Sequence, residues 1–434
     1  MALESLLIML VILILLLVLG TPIAIAIGIA AIGAISPTMS PDVTMITGAQ
    51  RIFSGTSTFT LVAIPFFILA GNIMNQGGIA KRLVNFVQAL VGKIPGSLLL
   101  TNVGANALFG AISGSAAAAA AAVGGMVREG EEEAGYDMNL AAATNAASAP
   151  SGLLIPPSNA LITYSLVSGG TSIAALFLGG YIPGMIWAFG AMIVGFIFAK
   201  KRGYVGETGP FNWARLWKAT IQAILPLSLI VIVIGGIVVG IFTATEGSAI
   251  AVLYALVLAM FVYRTIDFKD LYYILVDSAE TSGMIVFLIG VSNILSWVMA
   301  FTGIPQAIAG LLLGITENPL AIMLIINLIL LIAGTFMDVT PAILIFTPIF
   351  LPIAVSFGMG PVHFGIMLVY NLCIGNITPP VGNTLFVAIK VGKTSLAKVL
   401  PYMIGYYGAI LFGLILVTYI PMLTTWLPQL AGVM

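Results

Sequence analysis

Two proline pairs carry the most telling chemistry in the chain. The stretches "GLLIPPSNALITYSLVSGGTSIA", residues 152–174, and "GNITPPVGNTLFVAIKVGKTSLA", residues 375–397, align without a gap at a shift of 223 (375 − 152), and 7 of 23 positions are identical. The identities are Gly, Pro, Pro, Gly, Thr, Ser and Ala, where a biased apolar composition alone would match at about two positions. Proline withholds a backbone donor and fixes φ, so each pair holds a helix bent open. A break leaves carbonyls without their i+4 donors and points half-helix dipole ends at one spot. Carbonyls and hydroxyls suit a hard monovalent cation, and helix N-termini with Ser, Thr and Asn donors suit a carboxylate. The expected chemistry is therefore binding of a cation and an organic anion.

Each break has a polar companion upstream. The segment "GAISGSAAA" centres on Ser113, Gly114 and Ser115, and the same shift lands on Phe336, Met337 and Asp338, just before Val339, in "GTFMDVTPAILIFTPIFLP". Ser113 to Ser115 then pairs with the break between Asn145 and Asn159, and Gly334 to Thr340 with the break between Asn371 and Thr384. Asp338 is the acidic side chain expected near a site, because an intramembrane carboxylate is expensive and usually functional. Capping of the hairpin tip is its alternative role.

The elements that hold these residues must be membrane helices. Of 434 residues 60% are hydrophobic and 7% charged, with a mean hydropathy of +1.17, and apolar segments of about 20 residues recur along the chain. This composition predicts an all-α polytopic membrane protein in a lipid bilayer, with no soluble domain. Zero formal net charge and the lack of basic stretches with aromatics argue against nucleic acid as a partner. A lone Cys373 and a lone His363 are expected to be packing residues, not a disulfide or a metal cluster. No GxxxxGK[ST] or HExxH motif occurs, so neither ATP nor zinc is expected, and "GKTS" at 392–395 lacks the rest of a phosphate loop. The opening run "LLIMLVILILLLVLG" reads as a retained first span, since no lysine precedes it and the apolar run continues past Pro22.

Basic residues orient the halves. Cytoplasmic loops should hold Lys and Arg. Lys81, Arg82, Lys93, Arg128, Lys200, Lys201 and Arg202 mark the first half, Arg215 and Lys218 a link, and Arg264, Lys269, Lys390, Lys393 and Lys398 the second. Positions related by the shift carry basic residues in one copy and none in the other, so the copies are expected to be inverted, with both termini outside. Arg51 does not fit this scheme. Lys93 and Arg128 should share a side, so the segment between them either makes two very short spans or, as favoured, enters and returns as a re-entrant hairpin with its tip at Ser113 to Ser115. The expected layout is a first repeat at 1–210 with a hairpin near 95–127 and a broken helix near 137–168, then a second at 211–434 with a hairpin near 319–355 and a broken helix near 362–391. The alanine run 116–122 should form a tight helix interface, "REGEEEAGYD" at 128–137 a solvated turn, and Glu246 an outer helix turn. Asp277 and Glu280 belong either near the cytoplasmic boundary or in another interrupted segment.

At five ordered places the chain resembles the large membrane subunit, DctM-like, of the tripartite ATP-independent periplasmic (TRAP) transporters of the ion transporter superfamily. These are "AIPFFILAGNIM" at 63–74, "FGAISGSAAA" at 109–118, "SAPSGLLIPPSNALITY" at 148–164, "GTFMDVTPAILIFTPIFLPI" at 334–353 and "GNITPPVGNTLFV" at 375–387. The resemblance implies an elevator-type transporter in a bacterial inner membrane, about two sodium ions, and uptake of an organic acid such as a dicarboxylate, a sialic acid or another sugar or keto acid. It also implies a periplasmic substrate-binding protein and a small four-helix membrane subunit, separate here because no such extension precedes Met1-Ala2-Leu3. Carried over by position, one sodium site would involve Ser113, Ser115, Asn145, Pro150 and Gly152, and the other Gly334, Asp338, Thr340, Gly375 and Thr378. Ser148, Asn159, Asn376 and Asn383 would face the substrate. A stand-alone sodium or proton symporter, and an integral-membrane enzyme or scaffold, are the competing readings. Flux that ignores a binding protein would favour the first, and catalysis without flux the second.

Overall fold

The computed structural model describes residues 2–207 and 211–434, and all regular structure among them is helical. Met1 and Pro210, the outer limits of the first expected half, lie outside the described residues. Among the described residues seven helices are long and apolar enough to cross a membrane, and Ile304–Ile315 with Pro319–Gly334 forms a further apolar pair bent by 118°. The longest, Phe268–Thr302, has 35 residues and at 1.5 Å per residue is about 52 Å long. A capping box between Asp267 and Asp270 starts it and Gly303, at φ 73°, stops it. It runs unbroken through Asp277 and Glu280, so these residues do not mark an interrupted segment.

The helices pack in two groups. In the long-helix group, Ala2–Val18, Ile23–Ile35, Pro41–Thr56, Ala63–Gln76, Ala244–Leu256 and Phe268–Thr302 pack on one another. The hairpin group contains Ser97–Ser113 with Ala116–Glu133, Pro319–Gly334 with Val339–Ser356, and the interrupted helices that follow each pair. Ile79–Val91 links the groups, packing on Ala63–Gln76 and on Ser97–Ser113, and also on Trp213–Val238. Its buried residues Ile79, Ala80, Leu83, Val84 and Val87 recur at three- and four-residue spacing, as an amphipathic helix requires.

Local sequence explains both hairpins. Ser97–Ser113 ends at Gly114, whose φ of 64° suits glycine. Ser115 then caps Ala116–Glu133, its hydroxyl accepting from the Ala118 amide at 3.3 Å. Asp338 holds the matching N-cap position of Val339–Ser356 with no side-chain capping bond. The alanine run does form a close interface: the Asn145 amide donates to the Ala120 carbonyl at 2.9 Å, and a Cβ at Gly124 would lie 2.1 Å from Asn145 Nδ2.

The first hairpin helix continues to Glu133, six residues past the expected end, because "REGEEE" stays helical. Arg128 and Glu132 form an i,i+4 ion pair at 2.9 Å. The expectation of a solvated turn fails at Glu131, which is only 2% exposed. Asp137 caps the next helix and pairs with Arg202 at 3.1 Å.

The first interrupted helix comprises Met138–Ser148, Ser151–Leu154 and Asn159–Val167, and the second comprises Pro361–Gly375 and Asn383–Val391. Pro157 cannot donate to the Leu153 carbonyl, and the Ser158 hydroxyl donates to it instead. In the second break the Asn376 carbonyl, facing Pro380 in the i+4 place, accepts from the Thr384 amide at 3.2 Å.

Basic segments gather at one end. The Arg82 guanidinium lies 3.4 Å from the Tyr263 ring centroid, Glu207 binds Gly92 by its backbone and Arg215 by its side chain, and Thr394 donates to Asn139. At the other end Tyr164 donates to the Pro361 carbonyl and Tyr419 to that of Leu320, in turns without Lys or Arg. Arg51, unexplained by the loop-charge scheme, lies over Trp297 at 5.0 Å, a cation–π contact. Glu246 forms a capping box with Thr243, consistent with a helix-turn role. Cys373 is buried, and His363 Nε2 lies 2.8 Å from the Val417 carbonyl.

Candidate functional site

Both hairpin tips reach one cavity of about 300 Å³. Ser113, Gly114 and Ser115 line it from the first hairpin, and Asp338, Val339 and Thr340 from the second. The interrupted helices add Asn159, Asn376 and Asn383. Asn159 and Asn383 are the first residues of helices that restart after proline breaks, where free N–H groups favour an anion. Among the described residues Asp338 is the one formally charged residue in the lining, and no Lys, Arg or His joins it.

The tips are held by glycine crossings. A Cβ on Gly152 would lie 2.3 Å from Gly110 Cα, and one on Gly375 would lie 2.3 Å from the Gly334 carbonyl carbon. In each case the last turn of a hairpin helix crosses an interrupted helix at backbone contact, which requires glycine on the interrupted helix.

Asparagine clamps lie about one turn away. Asn106 Nδ2 is within 2.7 Å of Asn102 Oδ1, 3.0 Å of Asn145 Oδ1 and 2.8 Å of Ser148 Oγ. Asn371 Nδ2 donates to Asn327 Oδ1 at 2.8 Å, and Asn327 Nδ2 donates to Thr418 at 3.1 Å. These buried amides fix one helix against another where apolar packing alone gives little direction, although Asn102 Nδ2, Asn106 Oδ1 and Asn371 Oδ1 have no partner among the described residues.

The expected site residues therefore divide. Ser113, Ser115, Asp338 and Thr340, from the cation sets, and Asn159, Asn376 and Asn383, from the substrate set, meet at the cavity. Gly152, Gly334 and Gly375 form the crossings behind it. Pro150 interrupts the helix just before Gly152, and Thr378 Oγ1 donates to the Ile374 carbonyl at 2.6 Å. Asn145 and Ser148 do not line the cavity; their side chains belong to the Asn106 clamp.

Sequence reasoning missed the wall contributed by the long-helix group. Ile68, Gly71, Asn72 and Asn75 come from Ala63–Gln76, and Thr281 and Ile285 from Phe268–Thr302. Their i, i+3, i+4 and i+7 spacing is the available signal, since it puts two asparagines on one face of an apolar helix. Gly71 marks the closest approach to the first tip: a Cβ there would lie 2.6 Å from the Ser113 carbonyl oxygen.

This arrangement, hairpins and interrupted helices around a membrane-embedded cavity, defines a membrane transporter fold. Among solved structures the chain is similar to the YdaH transporter of Alcanivorax borkumensis, described as having an unusual topology, with a TM-score of 0.60 over 88% of this chain and 89% of that one at 13% identity. Residues 10–423 match the family described as tripartite ATP-independent periplasmic transporter, DctM component, and the chain belongs to that family. It is 50% identical over 95% of its length to an uncharacterised protein, YgiK, of Salmonella typhimurium, covering 94% of that protein. It is 38% identical to the sialic acid TRAP transporter large permease protein SiaM of Vibrio cholerae, over 95% of each chain. The protein is thus a transporter permease subunit and not an enzyme.

Proposed function

We propose that the chain is the membrane-embedded subunit of a sodium-coupled importer of an organic acid. A periplasmic binding protein delivers the acid, and a small four-helix membrane subunit completes the permease. The observation that carries this reading is the convergence of two polar hairpin tips and two restarted helices on one cavity. The name of the SiaM relative supports an organic acid as cargo.

The two halves are inverted repeats, 1–210 and 211–434. The glycine crossings at Gly152 and Gly375 and the tip caps at Ser115 and Asp338, each pair separated by the same 223 residues, support this. The hairpins are re-entrant, and the hairpin group moves as one body against the long-helix group, carrying the cavity between faces of the inner membrane. The clamps within the group and the close glycine approach at Gly71 between the groups support an elevator. Sodium binds near Ser113 and Ser115 with the Asn145–Gly152 backbone, and near Asp338 and Thr340 with Gly334, Gly375 and Thr378. Both termini are periplasmic, and the gathering of basic segments at the opposite end supports that orientation. Sodium drives closure by binding one facing state better than the other.

Reconstitution with the small subunit in liposomes tests this reading. Uptake of labelled organic acids under an inward sodium gradient should require both sodium and the cognate binding protein. Full-rate uptake without the binding protein would instead identify a two-component symporter.

A further inference from the structure

We propose that the cargo is a monoanionic, hydroxyl-rich acid of the sugar-acid class, and that Asn72, Asn75 and Thr281 of the long-helix group read its hydroxyl-bearing end. This rests on the sodium-coupled reading above and narrows it.

Charge provides the first argument. The cavity lining has one carboxylate, Asp338, and no cationic side chain. Two bound sodium ions would leave that site at +1, which one carboxylate neutralises. A dicarboxylate would leave an uncompensated negative charge within the membrane, where it is costly.

The wall opposite the tips provides the second. Asn72 and Asn75 lie on the cavity face of "AIPFFILAGNIMNQ", an otherwise largely apolar helix, and Thr281 comes from the neighbouring long helix. Asn72 is already oriented, its Nδ2 donating to Ser278 Oγ at 2.9 Å with Asp277 Oδ2 at 3.3 Å. Among the described residues neither Asn75 nor Thr281 has a side-chain hydrogen-bond partner. Unpaired amides and hydroxyls in a membrane-embedded wall are expensive unless water or cargo satisfies them. An alkyl tail would leave them unsatisfied once water is displaced, whereas a row of hydroxyls pairs with them. The volume of about 300 Å³ is at the lower end for ligand pockets and accommodates a six- to nine-carbon acid.

The purified permease with its small subunit, and without any binding protein, tests this through ligand-induced shifts in melting temperature. The probes are gluconate, hexanoate of equal charge without hydroxyls, and succinate with two carboxylates, each titrated in sodium and in potassium. Gluconate should bind about tenfold tighter than either competitor. Asn75→Leu and Thr281→Val should each reduce the gluconate-to-hexanoate preference by about threefold to tenfold. Should Asn75→Leu lower the ligand-free melting temperature, Thr281→Val, which keeps the side-chain shape, carries the test. Preference for succinate, equal binding of gluconate and hexanoate, or an undiminished preference in both variants would overturn the assignment. A gluconate preference that is the same in potassium would support the hydroxyl-reading role of the wall while contradicting sodium coupling and the charge argument that rests on it. A sodium-dependent preference for succinate would do the reverse.

Discussion

The two hairpin and interrupted-helix pairs share a plan but differ in how fully their polar groups are engaged. In the first, the Ser115 hydroxyl caps its own helix, and Asn106 joins Asn102, Asn145 and Ser148 in a buried cluster. In the second, Asp338 makes no capping bond and is exposed to the cavity, as are Pro380, Val381 and Asn383 around the break. Both tips line the cavity and both halves have a buried asparagine clamp, but the first tip is neutral and capped while the second is charged and uncapped. On the proposed reading the two pairs share one plan, and the formal charge at the cavity stands in the second only.

That contrast predicts unequal effects. Asp338→Ala should reduce sodium-driven uptake by about tenfold or more, because a formal charge is lost, and should shift sodium activation to higher concentration. Ser115→Ala should cost only severalfold, since a neutral hydroxyl that also caps a helix is lost. Sodium activation curves in reconstituted uptake compare the two directly. Equal effects would erase the distinction between the halves.

The glycine crossings sharpen the comparison. Gly375→Ala would push a Cβ to 2.3 Å from Gly334 backbone, whereas the nearest atom to a Cβ on Gly334 is a leucine methyl at 3.4 Å. Gly375→Ala should therefore destabilise by about 1–3 kcal/mol, and Gly334→Ala by little. In the first half both partners are tight, at 2.9 Å for Gly110 and 2.3 Å for Gly152, so both alanine variants should lower the melting temperature.

A further contrast concerns pH and the first hairpin alone. Burial pushes the Glu131 carboxyl up from 4.5 to about 8. The folded protein keeps a proton that the unfolded chain releases, so stability is full below about pH 4.5, falls as pH rises towards about 8 and then levels. Glu131→Gln should flatten the melting-temperature profile between pH 5 and 9. The same slope in the variant would assign the pH dependence elsewhere.

The hairpins and breaks were legible because glycine, proline and hydroxyl residues recur at a fixed shift, a pattern that apolar composition does not produce. The residues behind the cavity were harder to separate from those facing it. Asn145 and Ser148 have the right chemistry for a ligand, but a helix crossing consumes their bonding capacity. Asn72, Asn75 and Thr281 have no counterpart in the repeat, so only helical spacing points to them. Glu131 was hidden in a charge run that resembles a solvated surface, and Arg51 was explained only once folding brought Trp297 beneath it. Pair contacts between distant segments are what a single sequence does not display.

Sodium binding to the purified permease tests the central claim most directly. Melting temperature should rise with sodium and not with potassium, and the rise should shrink in Ser115→Ala, shrink further in Asp338→Ala and vanish in the double variant. A double variant that folds and still shows the full sodium-specific rise would contradict the placement of the cations at the two tips.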